Sequence, residues 1–170
     1  MPVEIRIARR EDLAAVSALL GQTWHATYDG IYGPDRVAEI TRRWHSVESL
    51  AKGIDRSGAR FLVAVEDGRI VGTLSLGAGD AGRLKLDRLY VLPDVQRRGI
   101  GGRLLDAGLA AVPTAEAIDL EVEPANAQAI RFYERQGFVV TGETSDCSGS
   151  GDRIPALIMS RTLKAQSPQR

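Results

Sequence analysis

The stretch Leu89-Tyr90-Val91-Leu92-Pro93-Asp94-Val95-Gln96-Arg97-Arg98-Gly99-Ile100-Gly101-Gly102-Arg103 decides how this chain reads. A strand pattern from Leu84 to Val91 is ended by Pro93. Three glycines and three arginines follow, then a helix pattern from Gly101 to Val112 with Leu104, Leu105 and Leu109 facing inward. Glycines let a backbone approach a ligand closely and expose its N–H groups. The first turn of a helix adds unpaired N–H groups and the positive end of the macrodipole. Together they favour phosphate oxygens. Residues 94–103 carry three arginines against one aspartate, a local +2. A dinucleotide fingerprint would need a third glycine where Leu104 stands, and Asp119, twenty residues beyond Gly99, falls inside a strand pattern rather than at its end. No Gly-Lys-Ser/Thr occurs, so a P-loop is excluded.

Working outward, Phe61–Val65 and Ile70–Leu76 flank Asp67-Gly68, the signal of a tight hairpin. Gly77–Gly82 is a glycine-rich turn. Nearer the start, Val3 to Ala8 alternates as a strand, with Val3, Ile5 and Ile7 on one face. Leu13, Val16, Leu20 and Trp24 form a helical stripe that Asp29-Gly30 is expected to break. Pro34 suits the first turn of a second helix, with Val37, Ile40 and Trp44 on its apolar face. Beyond the glycine loop, Ala117–Val122 reads as a strand and Ala125–Gln136 as a helix stopped by Gly137. Phe138–Thr141 and Leu157–Leu163 are the closing strands, and Ser145–Asp152 is a loop. A run of antiparallel strands before two strand–helix units makes the class mixed α/β. The expectation is one domain over 1–164 and a disordered tail over 165–170.

A second constellation lies in the helix Ala125–Gln136. Asn126, Ile130 and Tyr133 stand at i, i+4 and i+7, on one face. Taken singly, Asn126 is a helix cap and Tyr133 a half-buried core residue.

Gln96-x-x-Gly99-x-Gly101 followed by Asn126-x-x-Ala129-x-x-x-Tyr133-x-x-x-Gly137-Phe138 resembles the GNAT superfamily of acyl-CoA-dependent N-acyltransferases. The stretch Leu120-Glu121-Val122 with Asn126 and Tyr133 is similar to the ribosomal-protein alanine acetyltransferases. The resemblance implies a mixed, mostly antiparallel splayed sheet of about seven strands flanked by four helices. It also implies that acetyl-CoA is the acyl donor and that the acetyl group passes directly to a primary amine. That acceptor is a small amine, an amino-acid-like compound or a protein N-terminus. In this reading Leu89 and Val91 pair with the pantetheine amides like an added strand. Gln96, Arg97, Arg98, Gly99, Ile100, Gly101, Gly102 and Arg103 surround the pyrophosphate, and Asn126 hydrogen-bonds the pantetheine arm. Tyr133 protonates the leaving thiolate, Glu121 is the candidate base with His25 a weaker one, and a backbone N–H near Tyr90 or Val91 stabilises the oxyanion. Trp24, Tyr28 and Tyr32 are the candidate acceptor residues; Trp24 alone is more simply the end of the core stripe. Aromatic walls suit amines. The same fold also admits a non-catalytic acyl-CoA-binding sensory module, which would not need Tyr133. A homodimer through edge strands is compatible with it.

Counting sets the remaining limits. The chain has 22 Lys+Arg and 22 Asp+Glu, so its net charge is zero, which argues against a coat for nucleic acid or an anionic membrane. One cysteine, Cys147, forms no intrachain disulfide, and two histidines with one cysteine make no Cys/His zinc site; counting does not exclude a carboxylate metal site, but no metal is expected. With a free thiol and no export signal, a cytoplasmic protein is expected. Glu116, Asp119, Glu121 and Glu123 give the strand beyond the loop a local −4, a candidate attraction for a cationic amine.

Overall fold

The computed structural model describes residues 2–163, so the tail expected at 165–170 lies outside the described residues. Seven strands hydrogen-bond in the order β1-β2-β3-β4-β5-β7-β6. They are β1 (Glu4–Ile7), β2 (Arg60–Glu66), β3 (Arg69–Ala78), β4 (Arg83–Val91), β5 (Ala117–Val122), β6 (Val139–Thr144) and β7 (Ala156–Thr162). The helices are α1 (Leu13–Tyr32), α2 (Pro34–Trp44), α3 (Val47–Asp55), α4 (Ile100–Ala110) and α5 (Ala127–Arg135). The expected mixed α/β class with a mostly antiparallel, unclosed sheet is the fold observed. The short helix α3, capped by the Ser46 hydroxyl accepting from the Ser49 N–H at 3.2 Å, is an addition to the helices that the sequence pattern predicts. The chain divides into two compact units: residues up to Leu76 with Arg88–Ala111, and Gly77–Asp87 with the residues from Val112 on.

In the first unit, β2 and β3 form the expected hairpin. Asp67 and Gly68 both take left-handed φ, 51° and 76°, the geometry of a two-residue turn matched to strand twist. Residues 71–77 of β3 are buried without alternation, as in a strand covered on both faces. Helix α4 lies close on this strand because two glycines make room. A Cβ at Gly72 would stand 3.0 Å from Leu104 and 3.3 Å from the Tyr90 carbonyl, and one at Gly108 would stand 2.9 Å from Leu74.

One expectation for this unit is corrected. Helix α1 does not break at Asp29-Gly30; it runs on to Tyr32 and stops at Gly33, whose φ of 84° no helix can continue. The His25 imidazole bonded to the Asp29 carboxylate at 2.6 Å, one turn apart, carries the helix through Gly30, and a glycine inside a helix costs only about 1 kcal/mol. Of the face shared by Val3, Ile5 and Ile7, Val3 is buried and Ile7 is 73% exposed. Strand β1 is a sheet edge, and burial there falls on the flanking Val3 and Ala8, while Arg6 on the opposite face pairs with Asp12 at 2.7 Å.

In the second unit, β5 pairs in parallel with the start of β4 and antiparallel with β7, and β7 pairs with β6. The parallel register runs from Arg83↔Ala117 to Leu86↔Leu120 and goes no further, although β4 continues to Val91. Ile118, Leu120 and Val122 point to the buried face of β5, and Asp119 and Glu121 to the other. Gly137, at φ 91°, ends α5 as expected and lets Phe138 turn back, its N–H bonded to the Tyr133 carbonyl at 3.0 Å.

Candidate active site

The glycine loop is built as the sequence implies. Residues 96–99 are exposed, and Ile100 plugs the core behind them. Gly99 caps α4 in the left-handed conformation, φ 80°, with no side chain on the helix end. The first intrahelical bond comes from the Arg103 N–H to the Gly99 carbonyl at 3.1 Å, so the earlier N–H groups of this turn are left for an anion. Arg97 also takes a left-handed φ, 66°. Gln96 folds back, its Nε2 donating to the Val91 carbonyl at 2.9 Å, which fixes the loop against the end of β4. These residues fit a pyrophosphate: uncapped N–H groups, left-handed glycine and nearby cations.

The loop arginines are not equivalent. Arg98 makes a two-pronged bond to Glu66 at 2.7 and 3.1 Å, and that contact holds the Glu66 carboxyl below its usual range. Arg103 donates to the Val3 carbonyl at 2.9 Å. Asp94 accepts from Arg69 at 3.1 Å. The +2 survives in sum, because Glu66 and Arg69 add one charge of each sign, but Arg98 is bonded within the protein.

The aromatic residues of the first unit form a chain of rings. Trp24 packs tilted against Tyr28 with ring centroids 4.5 Å apart, and Tyr28 lies 6.1 Å from Tyr32; Trp24 also meets Trp44 at 5.5 Å and His45 at 5.4 Å, and His45 meets Tyr90 at 6.3 Å. Trp24 and Tyr28 are buried, while Tyr32 is half-buried with the Arg36 guanidinium 5.1 Å over its ring. Trp24 thus ends the core stripe, and of the three candidate acceptor residues Tyr32 is the most accessible. Trp44 enters this cluster from the apolar face of α2, and His45 and Tyr90 from positions no local pattern marks. The Arg88 Nε–H donates to His45 Nδ1 at 3.1 Å, so the second ring nitrogen carries the proton. Burial, and then the Arg88 charge, push the His45 pKa down to about 3.

In the second unit, Asn126 caps α5, its side-chain oxygen accepting from the Ala129 N–H at 3.2 Å. Tyr133 is buried, its ring against Phe132 and Phe138 at 5.3 and 5.6 Å. On β5 the acidic residues are largely matched. Asp119 accepts from Arg83 at 2.7 and 2.5 Å and from Ser160 at 2.5 Å, and Arg83 is the main reason its carboxyl titrates low. Glu121 does not point idly to solvent. Its Oε2 accepts from the Ser148 N–H at 2.7 Å, the Ser148 hydroxyl at 3.2 Å and the Cys147 thiol at 3.5 Å, with Lys85 4.0 Å away. The loop it grips is compact: Asp146 accepts from the N–H groups of Gly151 and Arg153 at 2.9 and 3.0 Å. Burial, and then Glu121, push the Cys147 thiol up to about 11. It is a thiol at neutral pH and a poor nucleophile, consistent with chemistry that forms no acyl-cysteine. Adding Arg83 and Lys85 reduces the −4 of this strand region to −2.

Comparison with known proteins gives a concordant result. The family model described as "Acetyltransferase (GNAT) family" matches residues 21–138. The chain is similar to a probable N-acetyltransferase of Mycobacterium tuberculosis, 33% identical over 146 residues, 84% of this chain and 83% of the relative. It is similar to a spermidine N(1)-acetyltransferase of Thermoplasma acidophilum, 30% identical over 146 residues, 82% of this chain and 90% of the relative. The crystal structure of the PaiA N-acetyltransferase of Thermoplasma acidophilum in complex with coenzyme A superposes with a TM-score of 0.84 at 29% identity, covering 96% of this chain and 100% of that one. With the loop, the capping glycine and the tyrosine helix in place, these matches show that the chain belongs to the GNAT acetyltransferase family.

Proposed function

We propose that residues 1–164 form one acyltransferase domain that moves the acetyl group of acetyl-CoA directly to a primary amine, carried by a small amine, an amino-acid-like compound or a peptide N-terminus. The observation that carries this reading is the uncapped start of α4 behind the left-handed Gly99. Acetyl-CoA supplies the acyl carbon already activated as a thioester. The N–H groups around Gly99–Gly102 take the pyrophosphate, with Arg97 beside them, and the backbone of Leu89 and Val91 pairs with the pantetheine amides. Asn126 bonds the pantetheine arm.

The amine must be neutral to attack, so a proton has to be removed, and Glu121 is the candidate to take it directly or through water. With Oε2 gripping Ser148, its other oxygen is the one assigned to the proton. The Tyr133 hydroxyl returns a proton to the leaving sulfur, and an N–H near Tyr90 or Val91 donates to the carbonyl oxygen as it gains charge. Tyr32, the most accessible of the three, lines the acceptor's path with Tyr28 and Trp24 behind it. Among the described residues no helix is long and apolar enough to cross a membrane, and the cytoplasm is the proposed place of action, as a monomer or an edge-strand homodimer.

The test is an amine and peptide screen with acetyl-CoA, read as thiol release. Turnover with at least one acceptor is expected. Coenzyme binding by calorimetry with no turnover across the panel would overturn catalysis in favour of a sensory module.

A further inference from the structure

The turn between β2 and β3 reaches the glycine loop through two ion pairs of opposite sense. Glu66 ends β2, Arg69 begins β3, and the two face each other in register around Asp67-Gly68. Glu66 accepts both prongs of Arg98 at 2.7 and 3.1 Å, and Arg69 donates to Asp94 at 3.1 Å. Both loop partners fall within 93–99, on either side of Arg97. The Glu66 side chain is only 15% exposed against 43% for Arg98, so the carboxylate is the enclosed member of the pair. Left-handed backbone at Asp67 and Gly68 makes the hairpin tip a stiff platform.

Arg97 sits between the two tethers in a backbone conformation that costs an L-residue about 1 kcal/mol, and its side chain has no hydrogen bond or ion pair among the described residues. We propose that the hairpin tip is a positioning device for the coenzyme's phosphate end. Glu66, acting through Arg98, and Arg69, acting through Asp94, hold the loop in its strained shape and leave Arg97 as the arginine that meets phosphate. This rests on the pyrophosphate reading of the loop.

The sign of one substitution tests it. By charge alone, removing the Glu66 carboxylate beside a phosphate site would tighten an anionic ligand. Removing a tether would loosen it. Binding of CoA and of pantetheine, which lacks the phosphates, is measured by calorimetry on the full chain. Glu66→Gln is expected to weaken CoA about fivefold and leave pantetheine unaffected, and Arg69→Gln to act in the same direction. The swap Glu66→Arg with Arg98→Glu should recover most of the loss, because it restores the pair in reverse. CoA binding unchanged or tightened in Glu66→Gln would overturn the tether, as would a swap that recovers nothing. A wild type that binds pantetheine as tightly as CoA would instead remove the phosphate reading, and this inference with it.

Discussion

The glycine loop of the first unit and the β5 cluster of the second hold their charges by different means. At the loop, the candidate anion-binding groups are backbone N–H groups, set by the left-handed φ of Gly99 and Arg97 and flanked by ion pairs at the loop's edge. At β5, the reactive candidate is a side chain whose environment is made by other side chains: Ser148, Cys147 and Lys85 around Glu121, and Arg83 and Ser160 around Asp119. A site made of backbone is sensitive to conformation and tolerant of lost charge. A site made of carboxylates is sensitive to single atoms on its neighbours. The comparison can be broken by substitutions that touch one kind of construction and leave the other alone.

The largest effect belongs to a single oxygen in the second unit. Tyr133→Phe keeps the ring packing against Phe132 and Phe138 and removes the hydroxyl proposed as proton donor. Turnover should fall about a hundredfold, with KM for acetyl-CoA nearly unchanged, in a thiol-release assay. Full turnover in this variant would return Tyr133 to the core residue it otherwise resembles.

Acid should weaken the first unit through His45. Its folded pKa, about 3, lies below its ordinary value of 6.5, so the unfolded chain binds the proton more readily. The stability contributed is fully present above pH 6.5 and is lost as pH falls from there toward 3. By pH 5 the loss should be about 2 kcal/mol relative to pH 8, read by denaturant melts. In His45→Asn this part of the pH slope should vanish; a slope that persists would place it on other groups.

Glu121→Gln separates proton transfer from loop anchoring. The glutamine oxygen still accepts from the Ser148 N–H, but it takes no proton. A drop of about tenfold in kcat, with the acidic limb of the pH–rate profile lost, is expected if Glu121 is the base. A profile like wild type, with loss appearing only in Glu121→Ala, would make it the loop's anchor alone.

The smallest effect is the test of backbone geometry. Gly99→Ala meets no atom within 4 Å, so its cost is the left-handed φ alone, about 1 kcal/mol in stability. Coenzyme binding should weaken with it. A melt and a binding curve matching wild type would mean that the loop does not need this conformation.

Glu66, Ser148 and Arg88 show where local pattern stops. They reach Arg98, Glu121 and His45 across 32, 27 and 43 residues, and nothing periodic links those positions. The same limit explains Gly30: as a local signal it reads as a stop, but the His25–Asp29 bond and the packing of α1 outweigh one glycine. It explains Ile7 too, since alternation says which residues share a face and not whether anything covers it.

What the sequence determined by itself was whatever depends on φ and short spacing. The Asp67-Gly68 hairpin, the Gly99 cap, the stop at Gly137, the Asn126 cap and the strand–helix order all follow from residues near one another in the chain. The motif pair that points to acyl-CoA is of the same kind. Only the tertiary structure decided which charges are matched, which rings are buried and which oxygen of Glu121 is engaged. Those properties depend on approach between distant segments, because electrostatic and hydrogen-bond energies are set by distances of a few ångströms that sequence separation does not encode.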